Sequence, residues 1–220
     1  MDMGSAEIWE IKRKVIEHYN RLSYIYNALY GYEQRQKINE ALKTVHIKSS
    51  DTILDAGCGT GLLFSYIANS ARLIIGVDIS PKVLEVAKNL IKKSGLNTVS
   101  LVRADADFLP FKNGVFDKAF AITLLQNMPD PISTLKEIAR VTKDDSEIVV
   151  TGLKKFFSKE DFLKILRESG MHSFILDTDE RIKCYIAVCN KNDNVSGKSI
   201  NNRKRDNTSL MVVEVNANAW

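Results

Sequence analysis

The 220-residue sequence predicts an α/β fold: a mostly parallel sheet ending in an antiparallel edge strand, preceded by an N-terminal helical cap. Three observations predict it. Short apolar runs alternate with helix-length segments from Thr52 onward, the pattern of strands buried on both faces and joined by right-handed crossovers. The first run leads directly into a glycine-rich turn. The residues before Thr52 carry only helical periodicity.

In order along the chain, Ile8, Ile11, Val15, Tyr19 and Leu22 recur at three- and four-residue spacing and predict a helix with one apolar face. Gly31 is expected to break it, with a second helix from Glu33 to Val45. Strands are expected at Thr52–Ala56, Leu73–Val77, Val99–Ala104, Phe116–Ile122 and Glu147–Gly152. Helices are expected between them at Gly61–Ala68, Pro81–Lys93 and Pro131–Val141. Ser80-Pro81 and Asp130-Pro131 each place a capping side chain before a first-turn proline. Ser158 and Asp161 form a capping-box variant, and Gly170 is a natural stop for that helix. Ser173–Leu176 and Ile182–Cys189 then read as a closing hairpin. The organisation expected is a helical cap over residues 1–47, a main domain over 48–190 and a disordered tail over 191–220, where Asn, Ser and charge leave little to bury.

Composition narrows the function classes. The net charge of +4 is too mild to argue for nucleic acid. No apolar run is long enough to span a bilayer, and the N-terminus lacks the apolar stretch of a signal peptide. Cys58, Cys184 and Cys189 form no CxxC pair, so no metal site is expected, and an odd cysteine count suits a reducing, cytoplasmic location.

The informative segment is Leu54-Asp55-Ala56-Gly57-Cys58-Gly59-Thr60-Gly61. It sits at the carboxyl end of a strand, where open α/β sheets bind ligands. Its GxGxG spacing is not the GxGxxG of a dinucleotide fingerprint, and no lysine follows as a phosphate loop requires. Asp55 precedes the first glycine. A carboxylate there suits a cationic ligand better than a phosphate, which a helix N-terminus serves unaided.

LDAGCGTG resembles motif I of the class I methyltransferases at every position. Three further segments agree in order: Val77-Asp78-Ile79-Ser80, Ala104-Asp105-Ala106-Asp107, and Phe116-Asp117 followed by Leu124-Leu125-Gln126-Asn127-Met128-Pro129-Asp130-Pro131. The last is similar to the "HHLPDP" segment of the ubiquinone/menaquinone-biosynthesis-like (type 11) branch, with Gln126 and Asn127 in place of histidines. Tyr19 to Asn27 is similar to that branch's "YDxxAxxYD" segment, with Asn20 and Asn27 in place of acids. The resemblance runs from about residue 15 to 190. It implies a seven-stranded Rossmann-like fold and S-adenosylmethionine as cofactor. It implies a cofactor-binding set of Asp55, Gly57, Cys58, Gly59, Gly61, Asp78, Ile79, Asp105, Ala106 and Leu124, with Asp78 on the ribose hydroxyls and Asp105 at the adenine amino group. Tyr19, Tyr26, Gln126 and Asn127 are the substrate-side candidates.

Methyl transfer from a sulfonium is an in-line displacement with a neutral leaving group. Alignment is the enzyme's main task, so the lack of a catalytic triad is no objection, and no catalytic residue is assigned. The acceptor expected first is a small metabolite beneath the helical cap. RNA or protein is the alternative, from Lys154, Lys155, Lys159 and the Arg-Lys-Arg at 203–205. A subunit that binds the cofactor without turning it over is the reading from a different class.

Overall fold

The computed structural model describes residues 4–192. The expected tail beyond Asn192, its Arg-Lys-Arg included, lies outside the described residues. Two helices open the chain, α1 (Ser5–Leu22) and α2 (Tyr26–Leu42). Then follow β1 (Thr52–Ala56), α3 (Phe64–Ile67), β2 (Leu73–Asp78), α4 (Pro81–Ser94), β3 (Val99–Arg103) and β4 (Phe116–Ala121). The series ends with α5 (Pro131–Val141), β5 (Thr142–Leu153), α6 (Lys159–Glu168), β6 (His172–Ile175) and β7 (Cys184–Asn190).

The seven strands form one sheet in the order β3-β2-β1-β4-β5-β7-β6. The first five in that order run parallel. β7 is antiparallel to both β5 and β6, so the reversed strand is inserted next to the edge strand β6. Helices cover both faces, as the doubly buried strands require. Ile53 of β1 faces a core layer built with Ile38 of α2, Phe64 of α3 and Ala87 of α4. Its neighbour Leu54 points to the opposite layer, with Leu135 and Ile138 of α5 and Phe162 of α6.

The predicted caps form. Ser80 Oγ accepts from the Val83 N–H, Asp130 accepts from the Ile132 and Ser133 N–H groups, and Ser158 Oγ accepts from the Asp161 N–H. Four boundaries differ from expectation. The break in the N-terminal helices falls at Ser23–Ile25, not at Gly31, which lies inside α2. Ser23 Oγ donates to the Asn20 carbonyl there, ending α1 locally. The helix expected from Gly61 starts only at Phe64, because residues 57 to 61 are held in a turn by the Gly61 N–H on the Cys58 carbonyl. β5 begins five residues before the apolar run: Thr142 pairs with Phe116 across a bulge, a backbone bond that needs no apolar side chains. The link between β6 and β7 runs from 176 to 183, longer than a tight hairpin turn.

Candidate functional site

The carboxyl ends of β1 to β4 release four loops into one cavity of about 1070 Å³, open space at its mouth included. The loop after β1 is bound to the end of β2: the Gly57 and Cys58 N–H groups both donate to the Val77 carbonyl, at 2.8 and 2.9 Å. Gly57 and Gly59 take φ of +73° and +54°, the left-handed region that glycine enters without strain. A Cβ on Gly59 would project into open space. The bend thus leaves a side-chain-free approach to the backbone.

Two acids flank the bend, Asp55 buried and Asp78 half-buried. Asp78, at the end of β2, accepts from the Gly59 N–H and the Ser80 N–H, both at 2.9 Å. Burial raises its pKa against the pull of those bonds. Asp55 lies deeper at the end of β1 and, among the described residues, receives no hydrogen bond to its carboxylate. Burial, and then the charge of Asp78, push its pKa up to about 8. It is a carboxylate in search of a cation.

The third acid, Asp105, follows β3. Lys12 of α1 reaches it at 2.6 Å and also pairs with Asp107. Lys12 is only 4% exposed. Burial opposes its charge, but the hydrogen bonds and charges of Asp105 and Asp107 hold its pKa above the ordinary lysine value. The sequence reading passed over Lys12. Its signal was its position in the helical stripe, four residues after Ile8 and three before Val15. The residue assigned to that stripe, Ile11, is 37% exposed instead.

The two helices are tied to the same strand-end loops. Asn20 Oδ1 accepts from Ser80 Oγ at 2.8 Å and from the Lys82 N–H at 3.3 Å. Asn27 Oδ1 accepts from Thr60 Oγ1 at 2.7 Å. The asparagines that stand where the branch resemblance has acids are therefore clamps that hold the cap on the loop and on α4.

Of the predicted residues, Asp55, Gly57, Cys58, Gly59, Asp78 and Ile79 line the cavity. So do Asp105, Ala106 and Leu124, and on the cap side Tyr19, Tyr26 and Asn127. Two do not. Gly61 turns at φ +81° against the Phe64 ring, 2.6 Å from where a Cβ would stand, and shapes the loop from behind. Gln126 turns away: its Nε2 donates to the Thr123 carbonyl, and its Oε1 is buried with no partner among the described residues. Cys58 is a buried thiol with its pKa raised by burial, then by Asp78 and Asp55, which suits a space-filler and not a nucleophile. Lys154, Lys155 and Lys159 are exposed, the first two lying over the Tyr185 and Phe156 rings.

The reading also missed Gln34, Lys37 and Thr123, which meet between α2 and the end of β4; Gln34 and Thr123 line the cavity. Thr123 follows β4 with φ of +61°, a left-handed conformation that costs a β-branched residue energy. Its N–H donates to Thr151 Oγ1 at 2.7 Å, and its carbonyl accepts from Asn127 Nδ2 at 3.0 Å.

Residues 54–150 match the family described as "Methyltransferase domain". Among curated relatives, the demethylmenaquinone methyltransferase of Staphylococcus saprophyticus is 32% identical over 147 residues, 65% of this chain and 60% of that protein. The sterol 4-C-methyltransferase of Caenorhabditis elegans is 33% identical over 129 residues, 54% of this chain and 39% of that protein. The chain thus spans less than two thirds of either relative. A SAM-dependent methyltransferase from Aquifex aeolicus superposes with a TM-score of 0.62 at 19% identity, covering 69% of this chain and 88% of that one, a likeness of fold.

Proposed function

We propose that the chain is a class I methyltransferase, moving a methyl group from S-adenosylmethionine to a small acceptor held beneath α1 and α2. The observation that carries the proposal is Asp55: a buried carboxylate without a protein donor, beside a bend with no side chains in the way. A ligand bearing an ammonium group and a sulfonium satisfies both features, whereas a phosphate suits the bend but is repelled by the carboxylate.

In this reading Asp55 holds the ammonium. Asp78 keeps one lone-pair direction on each oxygen beyond its bonds to Gly59 and Ser80, and those serve the ribose hydroxyls. Asp105 takes the adenine amino group while its ion pair with Lys12 holds it in place. Ile79, Ala106 and Leu124 wall the base; Gly57 and Gly59 admit the donor to the backbone. The bound cofactor supplies an electrophilic methyl whose departure leaves a neutral thioether. The protein's work is to align the acceptor behind that methyl and exclude water. Tyr19, Tyr26 and Asn127 line the part of the cavity available for the acceptor, and enclosure by the cap favours a small molecule over RNA or a protein segment.

No helix among the described residues is long and apolar enough to cross a membrane. The three cysteines are free and buried, which supports a reducing cytoplasmic location. Calorimetry with S-adenosylmethionine tests the cofactor assignment. Transfer of labelled methyl into a small-molecule extract, total RNA and total protein, run in parallel, tests the acceptor. Label in the small-molecule fraction is expected. Cofactor binding with label in no fraction would support a binding subunit, and the absence of cofactor binding would remove the enzyme reading altogether.

A further inference from the structure

At the acceptor end, every hydrogen bond has a direction that the chemistry of its partners fixes. Lys37 of α2 is 1% exposed, pairs with Glu33 at 2.8 Å and points its Nζ at Thr123 Oγ1, 3.4 Å away. An ammonium only donates. The Thr123 hydroxyl proton therefore goes to Gln34 Oε1, at 3.0 Å. That leaves the Gln34 amide nitrogen facing the Tyr26 hydroxyl at 3.1 Å, where it donates. A second chain ends the same way. Asn127 Nδ2 donates to the Thr123 carbonyl, which can only accept, and its other proton goes to the Tyr19 hydroxyl at 3.1 Å.

Each phenol oxygen is thus already an acceptor, and each keeps its own proton to give. The rings of Tyr19 and Tyr26 are 5.9 Å apart between centroids, and both residues line the cavity. Both phenols have pKa values raised by burial, so they stay protonated at neutral pH. Resting on the function proposed above, we infer that Tyr19 and Tyr26 form a pair of O–H donors for an anionic oxygen of the acceptor, with Lys37, Thr123 and Gln34 as positioning residues that fix their polarity. The acceptor class is a compound with an ionised enol- or phenol-type hydroxyl at or conjugated to the methylated atom. The pair holds the oxyanion beside the methyl donor, and the negative charge supplies the nucleophile. No general base is required, because the hydroxyl arrives ionised. A neutral amine gains less, because it carries no negative charge for the two O–H donors to stabilise. The strain at Thr123 fits the same purpose, as the left-handed turn is what presents its hydroxyl to α2 and its carbonyl to Asn127.

The test uses 4-nitrophenol and 4-nitroaniline as probes on the full chain saturated with S-adenosylhomocysteine, whose binding is confirmed first by calorimetry. Absorbance reports the ionisation of bound nitrophenol directly. We expect the nitrophenolate to bind at least about tenfold tighter than the aniline, the value of one charge-assisted hydrogen bond. The pKa of the bound phenol should fall. Tyr26→Phe and Tyr19→Phe should each remove most of that preference while leaving S-adenosylhomocysteine affinity unchanged within about twofold. Gln34→Glu is nearly isosteric but can only accept, so Tyr26 must turn its proton toward it and the phenolate preference should drop as in Tyr26→Phe. A purely structural role for Gln34 would leave the preference in place. If Lys37→Met folds, pairing it with Tyr26→Phe should cost no more than Tyr26→Phe alone. Equal binding of the two probes, no probe binding in the loaded protein, or an unshifted phenol pKa would overturn the inference. Failure of S-adenosylhomocysteine to bind would instead overturn the function on which it rests.

Discussion

Binding of S-adenosylhomocysteine near pH 7 should release a proton, and Asp55 is its source. Burial and the neighbouring Asp78 move this carboxyl from 3.8 to about 8. At pH 7 the unliganded protein therefore holds it protonated in about nine molecules of ten. The ligand's ammonium pairs with the ionised form, so binding at pH 7 includes about 1.4 kcal/mol for losing that proton, one pKa unit. Affinity should rise roughly tenfold per pH unit below about pH 8 and level off above it. Stability of the unliganded protein runs the other way. Between 3.8 and about 8 the folded state keeps a proton that the unfolded chain has lost, so stability falls as pH rises through that window. Calorimetry in two buffers of different ionisation enthalpy measures the proton, and thermal melts across the window measure the stability. Asp55→Asn should abolish the proton release and flatten the affinity profile. A binding enthalpy independent of buffer near pH 7, or an unchanged pH profile in the Asn variant, would refute the reasoning.

Other changes have equally definite outcomes. Asp78→Ala should weaken cofactor affinity by about 1.5–3 kcal/mol, since charge-assisted bonds are lost and the Gly59 and Ser80 N–H groups lose their partner; unchanged calorimetric affinity would remove Asp78 from the site. Lys12→Met leaves two half-buried carboxylates without their cation and should cost about 3 kcal/mol, the low end for a broken buried pair, seen as a lower denaturation midpoint, with Lys12→Arg recovering part of it. Gly61→Ala combines a positive φ with a Cβ driven into Phe64 and should destabilise by about 1–3 kcal/mol or more. An unshifted chemical-denaturation curve would count against the loop geometry.

What could be read in the sequence was local in origin. The glycine bend, the acids at the ends of β1 to β3 and the capped helix starts announce themselves within a few residues, because turn and cap chemistry act over that range. The strand β7 was legible, but its place between β5 and β6 and the early start of β5 depend on pairing between distant segments, which no local pattern encodes. Lys12, Gln34 and Lys37 escaped for a related reason. A polar residue on a helix reads as solvated until its partner is known, and the partners Asp105 and Thr123 lie 93 and 86 residues away in Lys12 and Lys37. The misplaced helix break shows the converse error. Gly31 is permissive rather than a breaker, and the chain turns at Ser23 because Asn20 is needed at Ser80.

The ties between cap and sheet sit at three separate points: Lys12 at the loop after β3, Asn20 at the start of α4 and Asn27 at the glycine bend. All three are polar, whereas the aliphatic part of the cap's inward surface is made of Val15, Ile16 and Ile38. Two of the three anchors, Asn20 and Asn27, therefore stand outside the lining. A lineage could exchange the aliphatic residues to admit a molecule of another shape while the moorings stay put, and retargeting could proceed without rebuilding the glycine bend and its acids.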